Sequence, residues 1–166
     1  TPPKTPVALT PLQPNEATAV VMVGEHRGIG LHNLLWILRT FPNHFKNFIF
    51  VSVGIVDVES FSAKKELTTM QENTNEMLDY FVNYCQQQGL AAKGFAAYGT
   101  DPTEKLTRLS KKIIKEFPHS LFFASKLIFS KDNWITRLLH NETAVMLQRR
   151  LHLLGVQLVI LPMKID

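Results

Sequence analysis

The sequence predicts an α/β domain built on a doubly wound, five-stranded parallel sheet. Short apolar runs alternate with longer stretches of helical periodicity, in the order β-α-β-α-β-α-β-α-β. The apolar runs are nearly continuous, as strands are when helices cover both faces of a sheet. A strand, a helix and a second strand in succession join parallel neighbours through a right-handed crossover.

The elements follow in order. Five of the nine prolines (Pro2, Pro3, Pro6, Pro11 and Pro14) fall in the first 14 residues. Proline removes backbone donors and favours extended backbone, so residues 1–17 read as a linker and 18–166 as the domain. Ala19-Val20-Val21-Met22-Val23, ending at Gly24, is the first strand. Leu31, Leu34, Leu35 and Leu38 recur at helical spacing, and that helix stops before Pro42. Phe48 to Val53 is the second strand. A long helix runs from about Ala63 to Gln88, with Leu67, Met70, Met77, Leu78, Phe81, Val82 and Cys85 on one stripe and Gly89 as its C-cap. Ala91 to Tyr98 is the third strand, interrupted by Gly94. Asp101-Pro102 opens a helix to Phe117, whose inward face is Leu106, Leu109, Ile113 and Phe117. Leu121 to Ala124 is the fourth strand. Ile135 to Leu154 is the last helix, ended by Gly155, and Val156 to Leu161 is the fifth strand.

Composition narrows the function. In 166 residues, 45% are apolar and 19% charged, which suits one well-filled domain and excludes disorder for its bulk. The single cysteine, Cys85, excludes an internal disulfide and reads as a small buried hydrophobe on its helical stripe. The net charge of +4 is too weak to imply nucleic acid. No run approaches the roughly 18 apolar residues of a membrane span. Thr1-Pro2-Pro3-Lys4 carries neither a signal peptide nor an initiator Met, so the expectation is a fragment of a longer chain.

In sheets of this class ligands sit at the carboxyl ends of the strands, so interest falls on the loops after the first, third and fourth. The first reads Gly24-Glu25-His26-Arg27-Gly28-Ile29-Gly30. Its glycines can expose backbone N–H groups to an anion or nucleotide phosphate at the helix N-terminus, with His26 and Arg27 beside them. The spacing is neither the dinucleotide fingerprint nor a P-loop. The competing reading is a tight turn in which the glycines supply positive φ. After the third strand, Asp101 reads as a helix cap more than a base. After the fourth come Ser125, Lys126, the apolar Leu127-Ile128-Phe129 and Trp134, which can pack on a partner or on the sheet edge. The six histidines lack the spacing of a helical metal site, so no metal is expected. No nucleophile, base and oxyanion hole assemble, and no enzyme is expected. Lys105, Arg108, Lys111, Lys112 and Lys115 form a basic helix face, either merely solvated or near anionic lipid.

The element order and the last third of the chain resemble the universal stress protein family. The resemblance rests on Phe122-Phe123-Ala124-Ser125-Lys126-Leu127, on Leu138 to Thr143 and on Leu158-Val159-Ile160-Leu161-Pro162. It implies a Rossmann-like fold of the adenine nucleotide alpha hydrolase type. It also implies a degenerate form of that family's ATP phosphate loop, with Ala124 and Leu127 where two glycines belong, and with Ser125, Asn141 and Thr143 as remaining contacts. Val20 to Gly28, with its His26-Arg27-Gly28 turn, is similar to the start of the cytosolic C-terminal domain of bacterial amino acid–polyamine–organocation permeases. That resemblance implies a non-catalytic regulatory and dimerisation domain on the cytoplasmic face of the membrane, covalently linked to an upstream transmembrane permease. Stress-protein-like domains often pair through the last strand, which makes Val156, Leu158, Val159, Ile160 and Leu161 the expected homodimer edge. The alternative is a sensor that binds ATP or another nucleotide.

Overall fold

Five strands form one all-parallel sheet in a computed structural model that describes residues 9–56, 63–127, 134–135 and 142–163. They are β1 (Thr18–Met22), β2 (Asn47–Ile55), β3 (Ala91–Gly99), β4 (Ser120–Leu127) and β5 (Leu158–Met163), ordered β3-β2-β1-β4-β5. The helices are α1 (Arg27–Thr40), α2 (Ala63–Gln87), α3 (Pro102–Glu116) and α4 (Glu142–Leu153). The doubly wound, Rossmann-like sheet expected from the sequence is the one observed. No helix among the described residues is long and apolar enough to cross a membrane.

Alternation along the strands splits the core in two. Val20 and Met22 of β1, with Ile49 and Val51 of β2, face α3 and α4 and pack with Leu106, Ile113, Leu147 and Leu151. Ala19, Val21, Phe48 and Phe50 face α1 and α2 and pack with Leu34, Ile37, Met77, Phe81 and Cys85. Because every central strand is covered twice, its residues are apolar on both faces. The Phe50 and Phe81 rings stack at 5.1 Å and join sheet to helix.

Glycine ends two helices as the sequence indicates. Gly89 has φ +74°, the Leu90 N–H donates to the Cys85 carbonyl and the Gly89 N–H to that of Gln86. Gly155, at φ +90°, repeats the pattern through Val156 to Leu151 and Gly155 to His152. Both close the orphaned carbonyls of the preceding helix.

Several expectations are corrected. Leu35 is 39% exposed, and Ile37 takes the inward place in α1. Gly94 does not interrupt β3: it stays in register with Phe50, and a Cβ there would lie 3.0 Å from that of Leu78 on α2. Val156 lies outside the edge strand, since it closes the α4 cap and is buried in the core. The segment entering β1 is fastened to the domain by Asn47, whose amide bonds both backbone groups of Gln13 at 2.7 Å. The last predicted helix is described at Ile135 and again over α4, with residues 136–141 outside the described residues.

Candidate functional site

The strand order reverses between β1 and β4, so these two strands part at their carboxyl ends and leave a crevice. Val21 and Phe123 are the last residues in register. Beyond them the crevice is stoppered. Trp134 is 5% exposed, and its indole N–H donates to the Val23 carbonyl at 3.1 Å. That carbonyl is free because the first strand ends there, and the indole supplies both a partner and a large apolar surface. Ile135 sits beside it, 3.9 Å from where a Cβ on Gly24 would stand. Trp134, expected on a partner or the sheet edge, is therefore a core residue.

Beside Ile135 lies a cavity of about 30 Å³, lined by Gly24, Glu25, His26, Ile29, Gly30, Asn33 and Ser125, among others. The Ser125 hydroxyl is buried and has no hydrogen-bond partner among the described residues. A groove of about 860 Å³, with Trp134 in its wall, opens at the ends of β1 and β2. Its size falls within the roughly 300–1,000 Å³ typical of small-molecule sites. Strand β2 contributes Ser52 to Ile55, α2 contributes residues from Lys65 to Met77, and Trp134 and Arg27 close one end. Along its first half α2 reaches β2 through Met70, whose sulfur fills the space that a Cβ on Gly54 would take, and the groove opens beside that contact. Lys64 to Asn73 are exposed or half-buried, whereas Thr74, Met77, Leu78, Phe81 and Cys85 are buried.

The expected site residues separate on this frame. Gly24 borders both the cavity and the groove. His26 is the exposed N-cap residue of α1 and makes no side-chain cap bond. The Arg27 guanidinium lies 5.1 Å over the Tyr80 ring and reaches the groove instead of the cavity. Gly28 and Gly30 belong to α1, not to a free loop. Among the described residues only Gly89 and Gly155 are positive-φ glycines, so the first loop needs its glycines for another reason than positive φ. At Gly30 that reason is packing, since a Cβ would collide with the Phe81 ring of α2. Ser125 joins this group across the crevice. Asn141 lies outside the described residues, and Thr143 is placed in the first turn of α4 by its backbone alone. Of the apolar stretch Leu127-Ile128-Phe129, residues 128 and 129 also lie outside the described residues.

The loop after β3 drops out of the site, because β3 is an edge strand two places from the crevice. Asp101 caps α3, its Oδ1 accepting from the Thr103 N–H at 3.0 Å and the Glu104 N–H at 3.4 Å. On the basic face of α3, Arg108 pairs with Glu104 at 3.0 Å and Lys112 lies over the Phe95 ring at 5.6 Å, where Lys93 of β3 joins it at 4.9 Å. Burial pushes the Cys85 thiol up from 9.0 to about 12, so it is a poor nucleophile. No group of three His, Cys, Asp or Glu side chains suited to a metal occurs among the described residues.

Sequence reasoning missed the groove wall on α2. Its trace in the sequence is the break in the apolar stripe between Met70 and Met77, where Asn73 and Thr74 intervene. No family model matches the chain, and no curated protein matches it.

Proposed function

We propose that the chain is a non-catalytic regulatory and self-assembly domain attached to a membrane permease of the amino acid class, on the cytoplasmic face. The attachment rests on the resemblance carried by Val20 to Gly28. The observation that carries self-assembly is the asymmetry of the two sheet edges. Edge strand β3 bears Lys93, which pairs with Glu116 at 3.7 Å, a charge that discourages strand addition. Edge strand β5, Leu-Val-Ile-Leu-Pro-Met, has no charge. Next to it in the chain, α4 exposes Val145 (57%), Met146 (49%) and Leu153 (79%). A second copy pairing through Leu158 to Leu161 would satisfy the edge and cover apolar surface together. Light scattering over a concentration series tests this: a dimer is expected, and Val159→Asp, which sets like charges across the pairing, yields monomer. A parent that stays monomeric at high concentration overturns the reading.

The groove favours a second reading, a nucleotide sensor. Its volume admits a nucleotide, and Arg27 and Lys65 line it without a salt bridge among the described residues. Calorimetry with ATP, AMP and cyclic dinucleotides decides it. Heat that disappears in Asn73→Leu supports a ligand in the groove, and no heat at millimolar nucleotide ends the reading.

A further inference from the structure

Edge strand β3 and helix α3 together present one basic surface. Residues 93, 95, 97 and 99 of β3 alternate onto the side that α3 covers, where Phe95 packs in one cluster with Leu106 and Ile113 of that helix. Lysine stems complete the cover. The Lys105 stem lies over Gly99, where any Cβ would collide with it. The Lys112 and Lys93 ammonium groups lie 5.6 and 4.9 Å from the centre of the Phe95 ring. Lysines so placed bury their methylenes and keep their charge in water. Along α3 the exposed Arg108, Lys111 and Lys115 continue the surface. The helix turns Leu106 and Ile113 inward, and its cations fall on the opposite side. From Lys105 to Lys115 the row extends about 15 Å along the helix axis.

Much of this charge is uncompensated. Glu104 pairs with Arg108 at 3.0 Å, Glu116 pairs with Lys93 at 3.7 Å, and Asp101 is taken up by the cap of α3. Lys105, Lys111, Lys112 and Lys115 have no carboxylate partner among the described residues. Four such lysines gather on one side of a chain whose net charge is only +4, which leaves the rest of the sequence close to balance.

The make-up of the face selects its partner. The exposed large apolar side chains among the described residues are Leu9, Leu35, Val145, Met146 and Leu153. None belongs to α3 or β3, so a protein partner finds no apolar anchor to bury. Phe95, the ring on this face, is 7% exposed and is not free to stack on a base. Five of the six cations are lysines, which attract negative charge diffusely and lack the arginine fork that grips a single phosphate. A bilayer rich in anionic headgroups needs neither pocket nor anchor, and it draws a helix that carries this many basic residues.

We infer that the face formed by α3 and β3 is a docking surface for an anionic lipid bilayer, held there by charge. The inference rests on neither the permease nor the nucleotide reading, and it leaves edge strand β5 and the groove free.

Sedimentation with vesicles tests it. In roughly 0.1 M salt, where charges act over about 10 Å, the protein binds vesicles of phosphatidylcholine and phosphatidylglycerol in equal parts, and roughly 0.5 M salt releases it. Vesicles of phosphatidylcholine alone leave it in solution. Each lysine close to such a surface is worth about fivefold in partitioning, so Lys111→Gln combined with Lys115→Gln lowers binding about 25-fold. Arg39→Gln combined with Lys64→Gln removes the same charge from α1 and α2, across the sheet, and changes binding less than about twofold. All four side chains are exposed, so both double variants keep the circular dichroism of the parent. Equal losses in the two double variants overturn the inference, because net charge and not this face would then drive binding. Equal binding to neutral vesicles overturns it, as does no binding to the anionic ones. Retention of duplex DNA by a protein that ignores the vesicles would give the face to nucleic acid instead.

Discussion

Asn47 is fully buried at the start of β2, and every polar atom of its amide is used. It accepts from the Gln13 N–H and donates to the Gln13 carbonyl and to Thr18 Oγ1 at 2.9 Å. Truncation to Ala breaks three bonds and leaves buried partners unmatched. Asn47→Ala therefore lowers stability by about 3 kcal/mol, read as a shift in the urea midpoint with unchanged slope. Cys85 makes a prediction of opposite character. Its neutral thiol is favoured in the fold, with the pKa raised from 9.0 to about 12. The unfolded chain loses that proton first, so the contribution is complete below pH 9 and is lost as pH rises towards 12. Between pH 9 and 11 stability falls by up to about 1.4 kcal/mol per pH unit from this group. Cys85→Ala, less stable at neutral pH because of the cavity it leaves, shows a flatter slope there in urea unfolding. An identical slope in both proteins would remove Cys85 as the cause.

Helices show where sequence reasoning holds. The caps were readable because each depends on one residue and its local chain: Gly89, Gly155 and Asp101 stand where propensity puts them. Which face of α1 points inward was only half readable. Leucine spacing picks out Leu34 and Leu35 alike, and only the position of α2 decides that Leu35 is outside and Ile37 inside. The glycines of α1 are the sharpest case. Gly28 and Gly30 look equivalent in the sequence, yet nothing lies within 4 Å of a Cβ at Gly28, while at Gly30 the Phe81 ring occupies the space. Gly28→Ala is therefore expected to stabilise by about 0.5–1 kcal/mol through helix propensity alone. Gly30→Ala is expected to destabilise by about 1–3 kcal/mol, as overpacking of a close helix contact does. Thermal unfolding of the pair checks both signs, and two changes of the same sign would contradict the packing of α1 on α2.

At the scale of the molecule, periodicity revealed the parallel doubly wound class because strand polarity and burial are local properties of the chain. The content of the crevice was not readable, because its stopper is brought from 111 residues away. Position in the chain put Trp134 in a loop, where solvent or a partner is the natural neighbour of an indole. Position in the fold puts it at the point where β1 and β4 part, facing a carbonyl that the sheet leaves unpaired. The groove was hidden for a related reason: it is lined by the first half of α2 together with the ends of β1 and β2, and no single element contains it. Trp134 thus joins the two halves of the sheet, packing with Met22, Val53 and Ala124 in one cluster while it lines the groove. Two substitutions divide its roles. Trp134→Phe keeps most of the apolar surface and leaves the Val23 carbonyl unmatched, for an expected loss of about 1–2 kcal/mol. Trp134→Ala removes the stopper as well and lowers stability by about 3–5 kcal/mol. Urea unfolding followed by circular dichroism measures both without relying on the indole that is being removed. A Phe variant as damaged as the Ala variant would assign the stopper to its single hydrogen bond; an Ala variant as stable as the parent would mean that the crevice does not need filling.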